Sequence, residues 1–140
     1  MIEWREEYRV GHPTIDDDHQ HLINIINDFH DKSKTSKEDR LLHETLKELL
    51  AYGKEHFSRE EKIQKECMYP YSDMHSAEHR VLIAQIMAMA KTYFVDKSQP
   101  INHASLSYMN EFLRRWLIDH VMKFDTNMRE WLESGFEKAQ

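Results

Sequence analysis

Apolar side chains recur along this chain in alternating steps of four and three, the interval at which a helix turns one face toward its neighbours. One such stripe is Ile15, His19, Leu22, Ile26 and Phe29; a second is Leu42, Leu46, Leu49, Gly53, His56, Glu60 and Ile63. A third runs His75, His79, Leu82, Ile86, Met89 and Tyr93, and a fourth Leu106, Met109, Leu113, Trp116, His120 and Phe124. His19, His56, Glu60, His75, His79 and His120 therefore stand where a helical bundle normally carries Leu or Ile. Asp125 falls one residue off the fourth stripe. Buried without partners, such groups cost about 1–3 kcal/mol each when neutral and more when charged. Something must compensate, and a metal centre would do so.

Breakers divide the chain into elements. Residues 1 to about 15, with Gly11 and Pro13, read as an irregular arm. A first helix is expected from Asp16 to Asp31. A second starts at a capping box of Ser36 with Asp39 and runs to about Glu66. The turn Met68-Tyr69-Pro70-Tyr71 leads to a third, capped by Ser72 or Asp73 and ending near Phe94. After Asp96-Lys97-Ser98-Gln99-Pro100, Asn102 caps a fourth that passes through Trp116, and a short helical piece over about Thr126 to Glu137 closes the chain. Short links between long helices imply an all-α, up-down-up-down antiparallel four-helix bundle with an N-terminal arm and a short C-terminal helix.

This topology tests the metal reading independently. The start of the first helix, the end of the second, the start of the third and the end of the fourth share one end of such a bundle. His19, His56, Glu60, His75, His79 and His120 all fall at that end. Scattered core histidines have no reason to agree in depth.

The spacing also suits ligation. Residues four apart on a helix stack about 6 Å apart along its axis, so His56 with Glu60, and His75 with His79, can converge on one ion or on two adjacent ones. His120 and Asp125 are five apart and would diverge on a regular helix. The backbone near residues 121–125 is therefore expected to bend or to insert a π-type turn. Imidazole and carboxylate suit iron, zinc or manganese, and seven ligands exceed what one ion takes, which makes the site dinuclear. Filled octahedrally, two ions offer twelve places; five imidazoles, two bridging carboxylates and a bridging oxygen from water take eleven. One place stays open. By helical spacing its lining is Leu22, Phe57, Trp116, Leu117, Val121 and Phe124, which admits a small neutral gas and adds no evident acid or base for hydrolysis or O–O cleavage.

Composition narrows the class further. A length of 140 residues fits one domain over 1–140, and three Gly, three Pro and 31% charged residues favour helices over sheet. The single cysteine, Cys67, excludes an internal disulfide and reads as a small buried residue. A net charge of −6, with Lys and Arg spread among acids, argues against nucleic acid. The longest apolar stretch, Val81 to Ala90, is interrupted by Gln85 and is too short to cross a bilayer. The segment Met1 to Glu7 lacks a signal-peptide pattern, so the expected setting is cytoplasmic, with no membrane partner. The other histidines, His12, His21, His30, His43 and His103, read as surface or capping residues, and Met87 and Met89 as gap-filling core.

The pattern resembles the hemerythrin family, specifically its stand-alone bacterial members. The likeness is carried by Trp4, Val10-Gly11-His12-Pro13, Ile15-Asp16-Asp17-Asp18-His19 with Leu22, His56-Phe57-x-x-Glu60-Glu61, His75-x-x-Glu78-His79 and Trp116-Leu117-x-x-His120-x-x-x-x-Asp125. It implies two iron ions per chain, one held by His75, His79 and His120 and the other by His19 and His56. Glu60, Asp125 and an oxo or hydroxo group would bridge them. It further implies that the diferrous form binds O2 reversibly at the second iron, for storage, transport or sensing, with an O2-consuming enzyme as a candidate recipient. Two alternatives stay open. One is a di-iron enzyme, such as a peroxidase, a nitric-oxide or O2 reductase, or a ferroxidase. Ferritin-like oxidases use Glu-x-x-His motifs, which this chain does not contain. The other is iron or zinc buffering, since zinc accepts the same donors. Exposed faces look uniformly charged and leave the oligomeric state open.

Overall fold

A computed structural model of the chain describes residues 1–35 and 39–136. Four long helices dominate it: α1 Pro13–Ser33, α2 Asp39–Glu66, α3 Ser72–Ala90 and α4 His103–Lys123. No strand occurs among the described residues. The helices form the expected up-down-up-down bundle, with α1 against α2 and α4, and α2 against α3. The seam between α3 and α4 is the loosest, and two clefts open along it.

Helix starts follow local chemistry, with two departures from expectation. α1 begins at Pro13 rather than Asp16, because proline at the first helical position loses no hydrogen bond and presets φ. Asp16 instead faces backward: its carboxylate accepts from the backbone N–H of Val10 at 2.8 Å and of Gly11 at 3.1 Å. Gly11, at φ 94°, makes that reversal with no Cβ to strain. α3 begins at Ser72, but neither Ser72 nor Asp73 caps it; Tyr71 precedes the helix and makes no side-chain cap bond. Asp73 lies within the first turn, where its charge suits the helix dipole. At α4 the expected cap is present: Asn102 accepts from Ser105 N at 2.9 Å, and Ser105 Oγ accepts from Asn102 N at 2.7 Å. The expected Ser36 capping box lies outside the described residues.

Helix ends differ more. α3 stops at Ala90 and widens into a π turn, Lys91–Val95. α2 closes with Tyr69 N bonded to Gln64 O at 2.8 Å and Met68 N to Lys65 O at 3.2 Å, the paired closure that usually has glycine in its left-handed position. Here Met68 holds that position at φ 57°. α4 ends at Lys123 and passes into a 3-10 turn, Asp125–Asn127, then the single turn α5, Met128–Glu130, and a π turn, Trp131–Phe136. The expected closing helix is thus a series of short turns, and its expected end at Glu137 lies outside the described residues.

Two apolar clusters result. The larger fills the bundle with Leu22, Ile26, Phe29, Leu42, Leu49, Ile86 and Leu113. A smaller one, Val10, Ile15, Cys67, Tyr69, Met128 and Leu132, closes one end. Met89 joins the core as expected, whereas Met87 is 53% exposed, because it lies off the stripe. The arm is pinned where it crosses α1: Ile2 N donates to Asn27 Oδ1 and Asn27 Nδ2 donates to Ile2 O, both at 2.8 Å. The Arg129 guanidinium donates to the backbone oxygens of Glu7 and Arg9, tying the C-terminal turns to the arm. Both stray segments therefore meet over the small cluster. No described helix is long and apolar enough to cross a membrane.

Candidate metal centre

Above that plug, all four helices bring polar side chains to one level. His19 comes from α1, His56 and Glu60 from α2, His75 and His79 from α3, His120 from α4, and Asp125 from the turn after it. None of the seven is more than 4% exposed. They fall into two groups, His75, His79 and His120 in one and His19 and His56 in the other, with Glu60 and Asp125 belonging to both. Within each group, one donor atom from every residue lies within 4.8 Å of the rest.

The carboxylates are divided oxygen by oxygen. Glu60 Oε1 is 2.8 Å from His75 Nε2 and 3.1 Å from His79 Nε2, while its Oε2 is 3.3 Å from His56 Nε2 and 3.7 Å from His19 Nε2. Asp125 Oδ1 is 2.7 Å from His75 Nε2 and 3.0 Å from His120 Nε2; its Oδ2 is 2.8 Å from His19 Nε2. Each acid thus offers one oxygen to each group. Several of these atoms are buried without a well-formed hydrogen bond, among them His19 Nε2, His56 Nε2, Glu60 Oε2 and both Asp125 oxygens. Close approach without good hydrogen-bond geometry is what lone pairs aimed at a common point produce. Five imidazoles and two carboxylates so aimed fit two borderline transition-metal ions.

The outer faces of the rings agree. His56 Nδ1–H donates to Asp18 Oδ2 at 2.9 Å, and His79 Nδ1–H donates to Glu61 Oε2 at 3.1 Å. Glu61 is itself held by the Ser76 hydroxyl. A proton fixed on Nδ1 leaves the Nε2 lone pair free to point inward. Gln64 Nε2 stands 2.7 Å from His75 Nδ1 while its Oε1 has no partner among the described residues. Turning the amide over gives His75 the same tautomer.

Without metal, His19 and His75 hold protons instead. Burial favours neutral His19, yet the Asp125 carboxylate, with Glu60, outweighs it and pushes the ring up to about 10. His75 is likewise pushed up to about 10, burial being overcome by Asp125 and Glu60. Burial opposes ionisation of Glu60, but hydrogen bonding from His19, His56, His75 and His79 holds it well below the usual carboxylate range. Asp125, opposed by burial and by Glu60, is drawn down by His120 and His19.

Over the rings lies a small enclosed space lined by Leu22, Phe57, Leu82, Trp116 and Leu117, with His19, His56, His120 and Asp125. Val121 is buried but does not line it. Phe124 does not either: it stacks on His120 at 5.4 Å and faces the outer cleft between α3 and α4. Leu82, whose carbonyl accepts from Trp116 Nε1–H at 3.1 Å, belongs to the third stripe but not to the expected lining. Its place three residues after His79 was the available signal.

The Hemerythrin HHE cation binding domain matches residues 10–132 of this chain. The chain belongs to the hemerythrin family. Within that family it is 25% identical over 121 residues to a bacteriohemerythrin of Stenotrophomonas maltophilia, covering 86% of this chain and 74% of the relative. It is 26% identical over 138 residues to one of Clostridium acetobutylicum, covering 95% and 100%. A third, of Aquifex aeolicus, is 25% identical over 135 residues, covering 94% and 98%. In this hemerythrin-family chain, Asp18, Glu61 and Gln64 contact the imidazoles from behind and are the functional residues that stripe counting passes over. Asp18 and Glu61 each adjoin a stripe residue. Gln64 is four after Glu60, in the position to which the buried face has drifted by the end of α2.

Proposed function

We propose that the chain binds O2 reversibly at a two-iron centre, for oxygen storage, transport or sensing. The observation that carries this reading is the division of Glu60 and Asp125, one oxygen of each toward His75, His79 and His120 and the other toward His19 and His56. On this reading Glu60 and Asp125 bridge two ions, with three imidazoles on one and two on the other, so the second keeps a free place. The chemistry such a pair supplies when bound is lending electrons to O2 and recovering them on its release.

The chain's own residues favour binding over turnover. Leu22, Phe57, Leu82, Trp116 and Leu117 exclude water above His19 and His56. The titratable groups lining that space are His19, His56, His120 and Asp125, all engaged as ligands on this reading. No further acid or base is at hand among the described residues to protonate a bound oxygen and drive O–O cleavage.

The test is iron per chain together with the visible spectrum through cycles of oxygen and argon. The expected result is two irons and a spectrum that returns to the deoxy form under argon. Immediate oxidation in air with no return favours a di-iron enzyme, and two tightly held ions with no gas-dependent spectrum favours metal buffering.

A further inference from the structure

Asp18 stands one residue before His19 and off the core stripe of α1, yet it is only 5% exposed. Four hydrogen bonds sustain it there. Its Oδ2 accepts from His56 Nδ1–H and from Arg59 Nε, each at 2.9 Å. Its Oδ1 accepts from Arg59 Nη2 at 2.9 Å and from the Tyr52 hydroxyl at 2.6 Å. Arg59 also lies over the Tyr52 ring, 5.4 Å from its centre, with Glu55 Oε2 at 3.8 Å. A fork-shaped pair of this kind fixes orientation as well as charge. One carboxylate is thereby aimed at the back of one imidazole.

The arrangement is lopsided across the centre. In the group of His19 and His56, the outer nitrogen of His19 has no partner among the described residues, and of these Asp18 alone backs an imidazole there. In the other group His79 is backed by the more exposed Glu61 and His75 by the neutral Gln64, while the outer nitrogen of His120, like that of His19, has no partner among the described residues.

We infer that Asp18 is a positioning residue for His56, and that Arg59 and Tyr52 moderate it by competing for the same oxygens. Together they set how tightly the His19 and His56 position holds its ion and how readily that ion changes oxidation state. The inference rests on the two-ion reading of the centre. A carboxylate on Nδ1–H fixes the tautomer and makes Nε2 a stronger donor. Donors on that carboxylate draw electron density back from it. Removing the carboxylate and removing its donors must therefore act in opposite directions, whereas a merely structural clamp would fail in the same direction either way.

The experiment titrates the metal-free full chain with Zn2+ alone, by calorimetry, and measures the reduction potentials of the iron-loaded protein. For Asp18→Asn the expected result is a loss of about 10–100-fold in affinity for one of the two ions, the other unchanged, with a raised potential at one iron. For Arg59→Met the expected result is undiminished affinity and a lowered potential. Equal losses at both ions, or a loss with Arg59→Met matching that with Asp18→Asn, overturns the inference. If Asp18→Asn does not fold, Tyr52→Phe with Arg59→Met decides: both are expected to lower the potential, and a rise in either overturns it. Wild-type chain that takes up a single Zn2+ overturns both this inference and the reading beneath it. Two ions with the expected Asp18 and Arg59 pattern, but no reversible oxygen spectrum, support the inference and sink the oxygen-binding reading alone.

Discussion

His120 Nε2 and Asp125 Oδ1 lie 3.0 Å apart although five residues separate them. On an unbroken helix those side chains point about 140° apart. They meet because α4 ends at Lys123: Phe124 stays in the right-handed region but is stretched to φ −115°, ψ −56°, and Asp125 opens a 3-10 turn. Phe124 N still bonds to His120 O at 2.8 Å, so the chain turns without losing contact with the helix. A bend was expected here; a π-type turn is not what makes it.

Asp125 serves both imidazole groups, so its loss should cost more than one ligand. With Asp125→Ala, and separately with Glu60→Ala, iron content is expected to fall below two per chain while the bundle remains helical. Metal analysis beside far-UV circular dichroism checks this. Full iron content in both variants contradicts their shared placement.

Metal uptake should release protons. In the metal-free chain His19 and His75 hold protons up to about pH 10, so filling both places at pH 7 must displace about two, one from each group. Calorimetric titrations in buffers of different ionisation enthalpy should show that release, and apparent affinity should climb with pH. Uptake that leaves the buffer proton balance untouched would show that these rings are not ligands.

Stability without metal should depend on pH in a stated direction. The folded His19 and His75 lie above their ordinary value of 6.5, so their contribution is complete below about pH 6.5 and is lost as pH rises through about 10. Glu60 and Asp125 lie below their ordinary values of 4.5 and 3.8, so theirs is present above those values and lost on acidification. Both statements describe the same buried pairs and count once. Thermal melts of chelated protein should therefore be highest between about pH 4.5 and 6.5. At pH 7, chelation should also lower the melting temperature relative to the iron-loaded chain. An alkaline maximum in the first series, or superposable melts in the second, would contradict the buried-centre account.

Gly53 within α2 and Met68 just past its end each carry the residue that suits the other's backbone. Met68 sits at φ 57° with its side chain 77% exposed, and Met68→Gly should stabilise the chain by about 1 kcal/mol. Gly53 lies within the helix, where an added Cβ would meet only Trp116 at 3.9 Å and Phe57 at 4.0 Å. Gly53→Ala should therefore gain about 0.5–1 kcal/mol. Fifteen residues, nearly all of them helical, separate the sites by about 20 Å, so the gains should add. Urea unfolding of the single and double variants measures this, with iron content expected to be unchanged.

The four helices and the shared depth of the histidines could be read from the sequence, because helical periodicity and short links are local properties. His19, His56, Glu60, His75, His79 and His120 were found by being polar where the pattern demanded apolar residues. Where the pattern slips, reading by stripe fails: Ile63 is half-buried and Gln64 is buried at the end of α2, since a 3.5-residue stripe drifts around a 3.6-residue helix. Asp18 and Glu61 were legible only as neighbours of stripe residues, because their partners lie on other helices.

The sequence by itself determined which side chains are available and the level at which they gather, since periodicity sets a helix's inward face and link length sets its direction. Only the tertiary structure decided how they are used. The division of each carboxylate between two groups of imidazoles, the backing of His56 by an Asp18 that Arg59 holds, and the exclusion of Val121 and Phe124 from the enclosed space depend on the rotation and approach of packed helices. Contacts between helices depend on angles and distances that no single helix encodes.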